Sequence, residues 1–185
     1  MPVVISLLRA VNVGGHAVIK MADLRALYES LKFADVQTYV QSGNVVFRTD
    51  GKDFSKLAKR IQTAIAGKFG VTPGVMLRTT AEMRNVVARN PFAKRKGIEP
   101  NKLHVSFLDG KLPPAACERL RAIPLTTEEL IPGDRELYIY CSEGMGKAKL
   151  PWSKVEEICA MRGTARNWNS VTKLLEMAEA LESAR

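Results

Sequence analysis

The sequence predicts an α+β protein built from two ferredoxin-like halves, each a βαββα-type unit with an antiparallel sheet and helices on one face. Three observations predict it. Some segments carry short β-branched or alternating apolar runs, and others repeat apolar residues every three to four positions. The two patterns follow one another in the order βαββα twice, which is the order of the split βαβ motif. The length of 185 residues and the composition, 46% apolar and 25% charged, suit two small halves of a globular chain.

The elements follow in order. Val3 to Val11 is β-branched and leucine-rich and ends at Asn12-Val-Gly-Gly, which predicts a buried strand. Met21, Leu24, Leu27, Tyr28 and Leu31 fall on one face of a helix. Val36 to Gln41 alternates as a strand, Ser42-Gly43-Asn44 turns the chain, and Val45 to Arg48 returns. Phe54, Leu57, Ala58, Ile61, Ile65 and Phe69 mark a second amphipathic helix, followed by a strand from Gly74 to Arg78. Thr79-Thr-Ala-Glu82 has the spacing of a capping box, opening a helix that Pro91 ends. Residues 91–101, with Lys94-Arg-Lys96 and Gly97, have no apolar periodicity and read as a basic linker. The pattern then restarts: a strand at Leu103 to Leu108, a helix at Pro113 to Arg121, and strands at Glu128 to Ile131 and Glu136 to Cys141. Ser153-Lys-Val-Glu156 is a second capping-box spacing, for a helix to about Arg162. Val171, Leu174, Leu175, Ala178 and Leu181 stripe a last helix, with Arg162 to Asn169 as the turn between the two. The expected organisation is a first half over 1–90, a linker over 91–101, and a second half over 102–185 with an extra C-terminal helix.

Two surfaces emerge as candidate sites. In a ferredoxin-like unit the loop after the first strand and the hairpin between the second and third strands leave the same end of the sheet. That brings Arg9, Asn12, Gly14 and Gly15 towards Gln41, Ser42 and Asn44. Glycine lets backbone amides approach an anion, or simply admits a tight turn. Arg166, Asn167, Trp168 and Asn169 add an arginine fork, a π face and amide groups, with Lys147 on a glycine-flanked segment nearby. Asn167 or Asn169 also has the chemistry to cap the final helix. The second surface is charge. The chain has 28 Lys and Arg against 19 Asp and Glu, a net charge of +9. Residues 51–100 hold 11 bases and 3 acids, so 11 − 3 = +8 of that excess lies there. Lys52, Lys56, Lys59 and Arg60 share one side of their helix, away from its apolar stripe, and Lys94, Arg95 and Lys96 sit in the linker. Solvated faces look like this, and so do polyanion-binding ones.

Other chemistries fit poorly. Cys117, Cys141 and Cys159 form no Cys-x-x-Cys pair, and His16 and His104 have no partner at metal-ligand spacing, so neither a metal nor a cofactor is expected. Gly144-Met-Gly-Lys147 resembles the end of a P-loop, but Cys141 and Ala148 stand where glycine and a hydroxyl are needed. Gly-x-Gly-x-x-Gly is absent. The first strand lacks aromatic residues and the third keeps only Phe47, so bases cannot stack on the sheet as in an RNA-recognition module. Ser42 lacks a nucleophile elbow, and no catalytic residue is assigned. The apolar start is too short to span a bilayer and has no preceding positive charge, which points to a cytoplasmic protein.

Several blocks carry a family resemblance. Leu7-Leu8-Arg9-Ala-Val-Asn12-Val-Gly-Gly15, Met21-Ala-Asp-Leu24, Thr38 to Phe47, Asn90-Pro-Phe92 and Thr164 to Leu174 resemble the domain of unknown function 1697 family, nearly end to end. The resemblance implies a duplicated ferredoxin-like fold and a mostly bacterial, cytoplasmic setting, and it implies no activity. Ala10 stands where members usually have glycine, and Ala148 where a serine is common. The expected function is therefore a non-enzymatic or regulatory binder of an anionic ligand, nucleic acid or a phosphorylated small molecule. An enzyme acting on a phosphate- or carboxylate-bearing small molecule and a structural or partner-binding protein stay open as alternatives. Oligomeric state is left open.

Overall fold

In the computed structural model, which describes residues 1–15 and 17–184, the order of elements is a sevenfold series repeated. The first series is β1 (Val3–Leu8), α1 (Met21–Ser30), β2 (Ala34–Tyr39), β3 (Asn44–Arg48), α2 (Phe54–Phe69), β4 (Val75–Thr79) and α3 (Thr80–Ala88). The second is β5 (Leu103–Leu108), α4 (Pro114–Arg121), β6 (Glu128–Pro132), β7 (Glu136–Cys141), α5 (Trp152–Cys159), β8 (Gly163–Asn167) and α6 (Trp168–Ser183). Two four-stranded antiparallel sheets result, ordered β2-β3-β1-β4 and β6-β7-β5-β8. The protein is thus α+β with two equivalent halves, each carrying the ferredoxin-like strand order. Among the described residues no helix is long and apolar enough to cross a membrane.

By contacts the chain forms two compact units, Met1–Arg84 with Lys173–Arg185, and Asn85–Thr172. In the first, Val4, Leu8, Val45 and Phe47 face Leu24, Leu27 and Tyr28 of α1 and Leu57, Ile61 and Ile65 of α2. Tyr28 meets Phe33 and Phe47 edge-on at 5.8 and 5.3 Å, and its hydroxyl shares a 2.9 Å hydrogen bond with Ser6 Oγ. The second part of α6 belongs here. Arg48 donates to the carbonyls of Leu181 and Ala184, and Arg84 pairs with Glu179 at 2.9 Å. In the second unit Leu108, Leu137, Ile139 and Cys141 pack on Ala116 and Leu120 of α4 and on Val155, Ile158 and Cys159 of α5.

Three local expectations differ from what forms. Residues 163–167, read as an interhelical turn, are strand β8, paired with β5 from His104↔Asn167 to Leu108↔Gly163. Gly-Thr-Ala-Arg-Asn carries no apolar alternation; the open edge of β5 supplies the ladder that makes it a strand. Helix α5 starts at Trp152 with Pro151 as N-cap and no side-chain cap bond, so the Ser153–Glu156 spacing is not used. It also ends at Cys159, because Ala160 turns into the left-handed region at φ 50°. The Thr79–Glu82 box does form: Glu82 N–H donates to Thr79 Oγ1 at 3.1 Å and Thr79 N–H donates to Glu82 Oε2 at 2.8 Å. Residues 91–101 pack onto the second unit. Phe92 is 2% exposed with its ring 5.9 Å from Tyr140, and Arg95 lies over both rings while pairing with Glu129 at 2.7 Å.

Candidate functional site

The two loops expected at one end of the first sheet do meet. Asn12 Nδ2 donates to the carbonyl of Ile19 at 2.9 Å and to that of Gln41 at 2.7 Å, while Asn12 Oδ1 accepts from Ile19 N–H at 2.7 Å. Leu8 N–H donates to Gly43 O, and Arg9 N–H to Gly74 O. Across the hairpin, buried Asn44 donates through Nδ2 to Tyr39 O at 3.1 Å and to Ser42 Oγ at 2.9 Å. Asn12 thus spends both amide hydrogens on backbone carbonyls, and Asn44 spends one on a carbonyl and one on the Ser42 hydroxyl. Gly14, Gly15 and Gln41 are exposed, and Arg9 and Ser42 half-buried. The pair of loops holds Ala10, Asn12, Gly14, Gly15, Ala17, Val40 and Gly43 at positive φ, a concentration of backbone strain. His16 lies outside the described residues.

The residues expected beside these loops belong to the second unit. Arg166 is 7% exposed in β8 and donates to Thr164 Oγ1 and Ala165 O, each at 2.8 Å. Burial pulls its guanidinium down to about 10. Asn167 caps α6, its Oδ1 accepting from Ser170 N–H at 2.9 Å. Trp168 is half-buried at the first turn of that helix, and Asn169 is exposed. Lys147 is exposed at the end of a 3-10 turn, Met145–Lys147. Sequence reasoning missed the sister of Arg166. Arg78 is 1% exposed in β4 and sits across from Ile5 as Arg166 sits across from Val105. The signal was an arginine at the fourth position of Val-Met-Leu-Arg-Thr, matched one series later at the fourth position of Gly-Thr-Ala-Arg-Asn.

The basic surface is carried by α2. Lys56, Lys59 and Arg60 are exposed on it; Lys52, expected on the same helix face, is exposed too but lies outside the helix, before the N-cap Asp53. Lys56 Nζ lies 3.6 Å from Asp53, while Lys52, Lys59 and Arg60 have no ion-pair partner among the described residues. Asp53 is the N-cap of the helix, accepting from Lys56 N–H at 3.0 Å, and that bond, with the adjacent lysine charge, holds its carboxyl below the usual range. Arg60 is fixed in place: its guanidinium lies 5.3 Å over the Phe33 ring and donates to Leu31 O at 2.7 Å. The helix is closed by Gly70, a left-handed C-cap at φ 71°. On the second unit Lys94 and Lys96 are exposed, but Arg95 is neutralised by Glu129.

Other reactive groups are quiet. Burial and the Glu128 charge push the Cys141 thiol up to about 11, and burial raises Cys159, so both stay protonated at neutral pH. Burial lowers the His104 pKa and keeps its imidazole neutral. Among the described residues no three of His, Cys, Asp and Glu gather as metal ligands. A cleft of about 270 Å³ is lined by Arg89, Tyr138, Asp134 and Glu136, whose carboxylate is bound to the amides of Asp134 and Arg135.

Comparison with known proteins adds fold and family. Residues 1–138 match the family described as "Protein of unknown function (DUF1697)". No functionally curated protein matches the sequence. Among solved structures, the conserved bacterial protein SP0830 from Streptococcus pneumoniae superposes with a TM-score of 0.73 at 21% identity, covering 96% of this chain and 98% of that one. At that identity the likeness speaks to the fold alone.

Proposed function

Since the chain belongs to the DUF1697 family, whose description names no activity, we propose a function from its own surface: binding of nucleic acid, without base readout, through the exposed face of α2. The observation that carries this reading is the row Lys52, Lys56, Lys59 and Arg60, of which, among the described residues, only Lys56 has a carboxylate within ion-pair distance. Lys56 to Arg60 cover about 6 Å of helix at 1.5 Å per residue, and Lys52 lies just ahead of the N-cap Asp53. Duplex DNA presents one charge per ~1.7 Å of its axis, so the row meets several phosphates at once. A small phosphorylated ligand needs donors converging on one point, whereas these side chains stand along an open helix. Phe33, beneath Arg60, is 6% exposed and offers no face for a base. Recognition therefore rests on phosphates, which position a protein but carry no sequence information.

The measurement is fluorescence anisotropy of a labelled duplex over a range of salt concentrations. Four phosphate contacts give a slope of log K against log salt of about −3.6, and Kd at physiological salt of about 10⁻⁴ to 10⁻⁶ M for unrelated sequences alike. Binding that does not change with salt, or that depends on one sequence, contradicts the reading.

A further inference from the structure

The end of α1 brings one more lysine to the basic surface. The helix closes in a Schellman motif: Lys32 N–H donates to Glu29 O at 2.9 Å and Phe33 N–H to Tyr28 O at 3.4 Å. Phe33 and Tyr28 make the apolar contact that accompanies such an end, their rings 5.8 Å apart. Lys32 therefore occupies the left-handed position, at φ 62°, that Gly70 occupies at the end of α2. Glycine takes this conformation freely, whereas the Cβ of a lysine crowds the next carbonyl.

Arg60 of α2 holds the turn on both sides of this lysine. Its guanidinium donates to Leu31 O at 2.7 Å and lies 5.3 Å over the Phe33 ring. Both elements belong to the first unit, so Lys32 stands beside the α2 row. Its side chain is exposed. The acids nearest to it in sequence are taken: Glu29 pairs with Arg25 at 2.8 Å and Asp35 with Arg48 at 2.9 Å. Lys32 has no ion-pair partner among the described residues, the condition of Lys52, Lys59 and Arg60. Its backbone is already pinned by two hydrogen bonds, so little further freedom is lost when the ammonium meets a phosphate.

We infer that Lys32 is a fifth phosphate contact, so that the nucleic-acid surface is built from two elements, α2 and the turn after α1. This rests on phosphate binding by α2 and adds the second element to it. A cation near a helix C-terminus also suits the helix dipole, but a lysine with that task alone would leave binding untouched when replaced. The test combines urea denaturation with anisotropy of the labelled duplex across salt for Lys32→Gly, Lys32→Arg and Lys20→Ala. Lys32→Gly raises the urea midpoint, because glycine relieves the left-handed backbone. It nonetheless binds the duplex about fivefold more weakly at physiological salt, with a slope shallower by about 0.9. Lys32→Arg keeps the charge and binds like the wild type. Lys20→Ala removes the same charge from an exposed site at the other end of α1, about 15 Å away by helix rise, and leaves affinity and slope unchanged. Undiminished binding by Lys32→Gly with the slope kept, or an equal loss in Lys20→Ala, overturns the Lys32 contact and leaves the α2 reading standing. A wild-type chain whose binding ignores salt overturns both.

Discussion

Gly43 shows how much one residue of the loop pair is asked to do. It sits at φ 72°, and a Cβ there would lie 2.8 Å from Leu8 Cβ, in the wall of the first core. Gly43→Ala combines the left-handed penalty, about 1–2 kcal/mol, with overpacking of about 1–3 kcal/mol. We expect a loss of ~2–5 kcal/mol in urea denaturation. Gly15→Ala, at φ 77° with nothing within 4 Å of the added carbon, loses only the backbone share. Equal losses for the two would show that the close approach to Leu8 does not matter. The sequence made the turns legible here but not the strain around them. Ala10, Ala17 and Val40 also take positive φ, and nothing in their side chains announces it. Nor did it show that the amides of Asn12 and Asn44, which look like ligand donors in a sequence, are bonded within the loops themselves. Polar side chains in a loop read alike whether they hold a ligand or the loop itself.

Among elements, those with a strong apolar period were legible and those made by a neighbour were not. Helix α2 lies at Phe54–Phe69, the span of its apolar stripe, and β5 and β7 likewise match their runs. Strand β8 escaped because its residues have no pattern of their own; the edge of β5 makes it a strand. The two capping-box spacings looked equivalent, yet Thr79 caps and Ser153 does not, since Pro151 begins α5 before Ser153 can. This gives a paired test. Thr79→Ala removes the acceptor of the Glu82 amide and costs about 1 kcal/mol, whereas Ser153→Ala at its exposed site leaves stability within about 0.5 kcal/mol. Urea midpoints at constant m-value measure both. A loss at Ser153 as large as that at Thr79 would contradict the assignment.

At the scale of the whole molecule the duplication organises what the single residues do. Ser6 and Ser106, Arg78 and Arg166, and the hairpin fasteners Asn44 and Glu136 occupy equivalent register positions in the two sheets. The repeat is nearly invisible in sequence because few of the paired positions keep the same residue; what is kept is the direction and burial of each side chain. Charge is not duplicated. The row on α2 has no counterpart on α5, which carries one lysine and two glutamates. That asymmetry makes the charged face of α2, rather than net charge, the centre of the account. Two double variants separate these explanations. Lys56→Glu with Lys59→Glu, and Lys94→Glu with Lys96→Glu, each lower the net charge by the same four units, from +9 to 9 − 4 = +5. Anisotropy titration of one labelled duplex at fixed salt, with both variants checked for folding, compares them directly. The account predicts that the α2 variant loses binding by at least about tenfold, through two lost and two repelled phosphate contacts, while the 94/96 variant stays close to the wild type. Equal losses in the two variants, or none in the first, would contradict it.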